Sequence, residues 1–463
     1  MKVIPRLQAF SSAIRRTFVQ FYQISTERAR AVPQRQLGLR LREYKIPEKI
    51  KPQVMSQIQG LLDLGVIKHS TSPTASPLVC VLKGPCGRDG VRLATDFRYL
   101  NRYTVSDAFP IPDIWDTIQR IGNAKCISIC DFSQGYWQTE IAPDDQWKSA
   151  FICDDQLYEW TRTAFGMKSS GQTFCRALRQ VLSPIRDIAA SFVDDVAIHS
   201  NLFQQHLIDL HKFLSVVRKA GMTLKLKKCQ WCHPEVIFCG VIVGSGSRRP
   251  DPDKVAIIDS IKTAQTKRQV KQILGFFGYF RDNIPNFAAM AQALTDLLKN
   301  DKSNKIKWEE KESQSFDALK NALKSATQQP LMIIDLNKPY NLLVNASSHT
   351  IAGALTQCDS DQKECPIAFF SWKLSETQQK WPIVEKEAYA ALKTLNRVRH
   401  WVFSSFITVW SDHNPLTYLT VSAAKSPRLL RWSLALQEYN VVFQYRAGRT
   451  HVVPDVLTRL CEN

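Results

Sequence analysis

Phe192-Val193-Asp194-Asp195 sets two adjacent carboxylates between apolar runs. Ala189-Ala190-Ser191-Phe192-Val193 before the pair and Val196-Ala197-Ile198 after it are uncharged and rich in strand-forming residues. They read as two short strands meeting at the acids. A buried hairpin of this kind aims both carboxylates into one pocket. Carboxylates crowded into a small volume resist ionisation unless cations share the space, so the functional reading is a magnesium site. The other reading is a solvated turn, which an isolated Asp-Asp at a strand end favours.

A third acid shifts that balance. Asp131 closes the apolar-leaning strand Lys125-Cys126-Ile127-Ser128-Ile129-Cys130 and opens Phe132-Ser133-Gln134-Gly135-Tyr136-Trp137-Gln138. Its distance along the chain lets the backbone leave and return to the same sheet. Three carboxylates at neighbouring strand ends suit phosphoryl transfer: one cation lowers the pKa of an attacking hydroxyl while a second neutralises the triphosphate and its leaving group.

Other blocks follow in a fixed order: Val91-Arg92-Leu93-Ala94-Thr95-Asp96-Phe97-Arg98-Tyr99-Leu100-Asn101, Phe109-Pro110-Ile111-Pro112, Asp131 to Gln138, Ala164-Phe165-Gly166-Met167-Lys168, and Phe192 to Asp195. In order and spacing they resemble a reverse transcriptase, and most nearly that of the gypsy type of long-terminal-repeat retrotransposon. The resemblance runs from about Tyr44 to the C-terminus and marks the chain as a fragment of a Pol polyprotein. It implies an α+β multidomain fold, with a right-hand polymerase of fingers, palm and thumb followed by an RNase H-like α/β domain. The boundaries expected are a basic extension over 1–40, fingers and palm over 41–245, thumb over 246–305, connector over 306–335 and RNase H-like domain over 336–463.

The resemblance also implies roles. Asp131, Asp194 and Asp195 become the metal-binding triad for two Mg2+ ions, with the Phe132 carbonyl as an added ligand. Lys83 and Arg92 stand where the family's fingers meet the incoming deoxynucleoside triphosphate, whose charge exceeds what the metals alone neutralise. Tyr136 falls where a bulky ring screens out a 2′-hydroxyl, with plain core packing as its other reading. Phe165 and Gly166 border the nucleotide and template. Two departures from the family are Ala164 and Ser170-Gly171, which occupy slots where it has prolines. That implies a looser segment, since proline fixes φ and narrows the unfolded ensemble. Beyond it Phe174, Leu178, Val181 and Leu182 recur at helical spacing and read as a core helix beneath the catalytic sheet.

Composition agrees with a nucleic-acid partner. Lys+Arg 61 against Asp+Glu 42 leaves a net charge of +19, suited to salt-dependent binding of a phosphate backbone. The chain of 463 residues, 44% hydrophobic, is long enough for several cores, and no apolar run approaches the roughly 20 residues of a membrane span. Its 12 cysteines are scattered and no secretory signal precedes them, which reads as reduced thiols inside a cell. Cys229-Gln230-Trp231-Cys232-His233, with Cys239 nearby, matches a haem-attachment pattern and half a zinc site. A second ligand pair at ribbon spacing is lacking, so ordinary thiols are the expectation. In the family this stretch leads into strands that grip the primer. Lys2, Arg6, Arg15 and Arg16 precede any acid, which fits a transit peptide, a basic arm or an accidental gene start; the last two are favoured for the first forty residues, since a polymerase cut from a polyprotein needs no address.

From Lys254 to about Lys299 the pattern is helical and basic. Lys267, Arg268 and Lys271 flank Ile273, Leu274 and Phe277, and Arg281 follows. This resembles a thumb that follows duplex backbone charge. A helix through Phe316, Leu319 and Leu323 forms the connector. In the last third Tyr340 to Val344, Glu385 to Leu392, Phe406 to His413 and Val452 to Leu457 resemble an RNase H domain. Glu387, Asp412 and Asp455 then hold metals across the RNA strand of a hybrid. The fourth acid is replaced by Asn345 in Asn345-Ala346-Ser347, which keeps the shape and loses the charge. The expectation is a working polymerase with RNA template, DNA primer and RNA–DNA hybrid as partners, a homodimer left open, no membrane, and residence in a cytoplasmic virus-like particle or the nucleus. RNase H activity and its metal are in doubt. The alternative is a decayed or host-adopted copy that binds nucleic acid without catalysis.

Overall fold

Alternating apolar strands and two amphipathic helices build the sheet that carries the acids. In the computed structural model, which describes residues 42–82, 84, 90–299, 304–412 and 426–446, the chain divides into two compact units at Val236/Ile237. The palm–thumb boundary expected at 245/246 falls in the turn of a β-hairpin.

The first unit holds two sheets. The outer one contains β1 (Ile67–His69), β2 (Ser76–Leu82), β3 (Val91–Thr95), β5 (Phe151–Cys153) and β6 (Gln156–Trp160), ordered β1-β6-β5-β2-β3. Helix α1 (Lys51–Asp63) packs on it through Val54, Ile58 and Leu61, a spacing that places all three on one helical face. Short helices α2 (Arg98–Tyr103) and α3 (Ile114–Gly122) follow, the latter N-capped by Asp113, which accepts from the Trp115 and Asp116 amides.

The inner sheet contains β4 (Cys126–Asp131), β7 (Ala189–Phe192), β8 (Asp195–Ser200) and β9 (Gln230–His233), ordered β7-β8-β4-β9 and antiparallel throughout. Two helices share a core with it: α4 (Ser170–Leu182), through Phe174, Leu178 and Leu182, and α5 (Phe203–Lys219), through Leu210, Phe213 and Val217. The expected helix beneath the catalytic sheet is therefore present. Val181 is only half-buried, because the buried row runs 174, 178, 182 and leaves its neighbour at the edge. Val193 lies outside the strand expected to contain it and sits in the turn, as the next subsection describes.

In the second unit a small sheet ordered β10-β11-β12-β13 is formed by β10 (Glu235–Phe238), β11 (Val241–Gly244), β12 (Ser247–Pro250) and β13 (Leu331–Met332). Helix α6 (Lys267–Tyr279) begins with a Thr266/Gln269 capping box, and α7 (Glu310–Gln328) buries Phe316, Leu319, Leu323 and Ala326. The larger sheet is ordered β16-β15-β14-β17-β18, with β14 (Tyr340–Ala346), β15 (Thr350–Cys358), β16 (Glu364–Lys373), β17 (Phe406–Ser411) and β18 (Asn440–Tyr445). Strands β14 to β16 pair antiparallel, whereas β14/β17 and β17/β18 are parallel. Helices α8 (Ile383–Arg397) and α9 (Pro427–Leu436) contribute to its core. A Cβ at Gly353 would overlap the Thr394 side chain of α8, so glycine is what allows the helix to settle on β15. Among the described residues no helix is long and apolar enough to cross a membrane, and the described cysteines are free thiols.

Candidate active site

Asp131 ends β4 and Asp195 begins β8, and the antiparallel register pairs the two residues directly. Cross-strand partners carry their Cβ atoms about 5 Å apart on one face of a sheet. Phe192 pairs with Asp195 across the β7/β8 hairpin, leaving Val193 and Asp194 as its two-residue turn. Val193 has φ +54°, a left-handed conformation that L side chains avoid and β-branched ones avoid most. The local strain sits directly before the acidic pair, in the turn that carries Asp194: Asp194 is exposed while Asp131 and Asp195 are half-buried. All three carboxylates thus converge at one end of the inner sheet.

Electrostatics match that geometry. Burial pushes the Asp195 carboxyl up to about 6, helped by Asp194 and then Asp131, while Lys228 opposes the shift. Lys228 Nζ donates to Asp131 Oδ2 at 3.1 Å, so an ammonium already rests against the acids. The triad is oxygen-rich, and burial followed by the neighbouring carboxylates opposes ionisation of Asp195, a cost that a divalent cation relieves, so the residues present fit magnesium. The loop after Asp131 is fixed by Gln138. Its side chain donates to the carbonyls of Ser133 (2.6 Å) and Thr223 (3.0 Å) and accepts from the Thr223 amide (3.0 Å). Lys228 and Gln138 were legible only as members of motifs, because their partners come from remote parts of the chain.

Tyr136 is half-buried, 5.0 Å from the Phe165 ring and 6.0 Å from Phe174. Burial, then the Asp194 charge, raises its phenol pKa. Arg92 is exposed on β3 with its guanidinium 5.6 Å over Phe165, so Arg92, Phe165 and Tyr136 form one continuous layer beside the triad. Lys83 lies outside the described residues. Gly166 has φ +94°, and its carbonyl accepts from Asn101 Nδ2 at 2.8 Å while the Lys168 amide donates to Asn101 Oδ1 at 2.9 Å. The slots where the family has prolines are tied to one another, since Ser170 Oγ donates to the Ala164 carbonyl at 3.1 Å. Hydrogen bonds hold a segment that was expected to be loosened.

In the second unit, parallel pairing of Leu343 with Trp410 sets Asn345 level with Asp412 at the ends of β14 and β17. Glu387, on α8, is 1% exposed and accepts from Ser411 Oγ at 2.5 Å. Burial pushes its carboxyl up to about 8 against the Ser411 bond, and Asp412 adds to the rise. Among the described residues Asp412 Oδ1 is buried without a hydrogen-bond partner. Two of the expected acids are therefore together, with Asn345 beside them, and Asp455 lies outside the described residues. Glu385, one turn-half away, is bound instead by Ser426 Oγ at 2.9 Å and by Arg428.

The basic residues expected to follow nucleic acid divide. Arg268 and Lys271 are exposed on α6. Lys267 Nζ donates to the Lys299 carbonyl at 2.5 Å. Arg281 donates to the Ser371 carbonyl at 3.0 Å with its guanidinium 5.6 Å over Phe287. Lys267 and Arg281 thus each hold a carbonyl of their own unit, whereas Arg268 and Lys271 extend from the helix surface.

Comparison with known proteins agrees with this layout. Residues 82–243 match a family described as reverse transcriptase (RNA-dependent DNA polymerase), and residues 335–439 match the RNase H-like domain found in reverse transcriptase. The chain belongs to the reverse transcriptase family. It is 32% identical over 432 residues to the retrovirus-related Pol polyprotein from transposon opus of Drosophila melanogaster, covering 90% of this chain and 43% of that protein. It is 31% identical to the Drosophila melanogaster gypsy polyprotein, covering 88% and 40%, respectively. The reverse transcriptase chain thus spans under half the length of these curated relatives. Among solved structures it resembles a foamy viral protease-reverse transcriptase in complex with double-stranded DNA, with TM-score 0.78 and 26% identity over 88% of this chain and 71% of that one. A second foamy viral structure shares the fold with TM-score 0.80 at 24% identity, covering 96% and 93%.

Proposed function

We propose that this chain is an RNA- and DNA-directed DNA polymerase of a retrotransposon, extending a primer 3′-hydroxyl with deoxynucleoside triphosphates. The pairing of Asp131 with Asp195, with Asp194 in the turn between strands, carries the reading. Two magnesium ions held by these acids and the Phe132 carbonyl would lower the hydroxyl pKa and neutralise the triphosphate.

The protein's own share is positioning. Tyr136, packed against Phe165, walls the side of the site where a ribose 2′-hydroxyl would sit, which favours deoxynucleotides. Arg92, with Lys83 assigned by its place in the sequence, meets the phosphates. Asn101 holds the Gly166 turn under the nucleotide, and Gln138 holds the loop that carries Tyr136. Lys228 neutralises Asp131 until the substrate and its cations arrive. A template–primer duplex is the partner these groups fit, and the foamy viral neighbour bound to double-stranded DNA supports that reading.

The RNase H-like domain, in this account, braces the hybrid without cleaving it. Asn345 places a neutral amide beside Asp412 where a bridging carboxylate is needed to bind both cations. Primer extension on an RNA template with magnesium tests the polymerase. The chain should extend, and Asp194→Asn should lose about 10³-fold or more, near 4 kcal/mol of transition-state stabilisation. Failure of the parent chain to extend overturns the proposal.

A further inference from the structure

We propose that Cys126, Cys232 and His206 form a binding site for a thiophilic divalent cation, zinc foremost, inside the palm and apart from the aspartate triad. Their ligand atoms all lie within 4.8 Å of one another, close to what a tetrahedral centre with bonds of about 2.0–2.3 Å requires. They come from β4, β9 and α5, and no two are closer in sequence than Cys232 is to His206. A local motif could not have shown them.

The backbone is shaped to bring Cys232 in. On β4, Ile127 pairs with His233 and Ile129 with Gln230, so Trp231 and Cys232 together face Ser128 in a β-bulge. Cys232 takes φ +56°, left-handed for a side chain that ordinarily avoids it, and its amide donates to Ser128 Oγ at 2.9 Å. Bulges re-aim side chains, and strain in non-glycine residues marks sites that something else repays. Here the bulge brings the Cys232 thiol to Cys126, with which it shares a hydrogen bond.

His206 is prepared as a ligand. It is fully buried, and Ser200 Oγ stands 3.1 Å from its Nδ1 and donates to Asp209 Oδ2 at 2.9 Å. This hydroxyl–carboxylate relay favours the tautomer with hydrogen on Nδ1 and leaves the Nε2 lone pair facing Ser128 Oγ, 2.8 Å away. Outer partners of this kind orient metal-bound imidazoles. On binding, the two thiols lose their protons to solvent. Two thiolates and a divalent cation sum to zero charge, the state an apolar interior tolerates best. An oxygen, from Ser128 or a water, completes the tetrahedron. Such a centre would staple β9 and α5 to the strand that ends in Asp131.

The test is metal content of the full chain after dialysis in metal-free buffer, together with titration by Co(II) and absorption spectroscopy. The parent chain should keep one zinc and, with cobalt, give sulfur-to-metal charge-transfer and intense visible bands. Cys126→Ser and Cys232→Ser should lose both, and Ser200→Ala should weaken affinity about 10–100-fold. Cys175→Ser and Asp194→Asn should bind like the parent, with near-ultraviolet circular dichroism confirming that each variant is folded. No zinc and no thiolate–cobalt bands in the parent chain, a Cys126–Cys232 disulfide in place of metal, or full binding by both cysteine variants would overturn the proposal.

Discussion

A valine in left-handed backbone immediately before Asp194 and Asp195 costs about 1–2 kcal/mol relative to relaxed chain, so its presence says that the turn serves the acids. The acids themselves were legible in the sequence, because Asp131 and the ordered blocks around it turn an acidic pair that alone reads as a solvated turn into a triad. The turn was not. Val193 reads as strand on propensity, and tertiary pairing of Phe192 with Asp195 overrides it. One consequence is titratable. The cation-free triad holds a proton on Asp195 up to about pH 6, above the ordinary carboxylate range. Below that pH a cation must displace the proton, so magnesium affinity should fall about tenfold per pH unit, and above it affinity should level off. Calorimetric titration in buffers of different ionisation enthalpy measures the released proton directly. Affinity that stays flat from about pH 5 to about pH 7 would contradict the assignment.

At the scale of elements, helices were the easiest to read and their contacts the hardest. Phe174, Leu178 and Leu182 announce α4 by period alone, and Phe316, Leu319 and Leu323 announce α7. Nothing local indicates that Asn101 on α2 clamps the Gly166 turn, or that Ser170 bonds Ala164 where the family has prolines. We expect Asn101→Ala to cost about 1 kcal/mol in a denaturant melt, the usual worth of exposed hydrogen bonds. It should also raise KM for deoxynucleotides more than it lowers kcat, measured by steady-state extension. The polar pair His206 and Asp209 on the buried face of α5 did leave a sequence signal, since both interrupt an otherwise apolar stripe. Their partners Ser128, Ser200 and Cys126 come from other strands, which is why Cys229-Gln230-Trp231-Cys232-His233 read alone suggested only thiols.

For the whole molecule, a net charge of +19 sets the expectation that duplex binding weakens steeply with salt. Arg268 and Lys271 are the exposed cations of α6, so replacing each with Ala should weaken binding equally across sequences. Each replacement should also lower the slope of log affinity against log salt by about 1, read by fluorescence anisotropy. Arg281→Ala should also lower stability, through loss of its bond to Ser371. The order of domains was legible from motif order. The break at Val236/Ile237 was not, because it lies within β10 and no run of linker residues marks it.

Asn345 was the clearest departure visible in the sequence, and it carries the central claim that polymerisation and hybrid cleavage have separated in this chain. The direct test is extension of a DNA primer on a 5′-labelled RNA template, comparing the parent chain with Asn345→Asp. The account requires full extension by both, an intact template with the parent chain, and cleaved template with Asn345→Asp. Cleavage by the parent chain, or no gain in cleavage with Asn345→Asp, would contradict it.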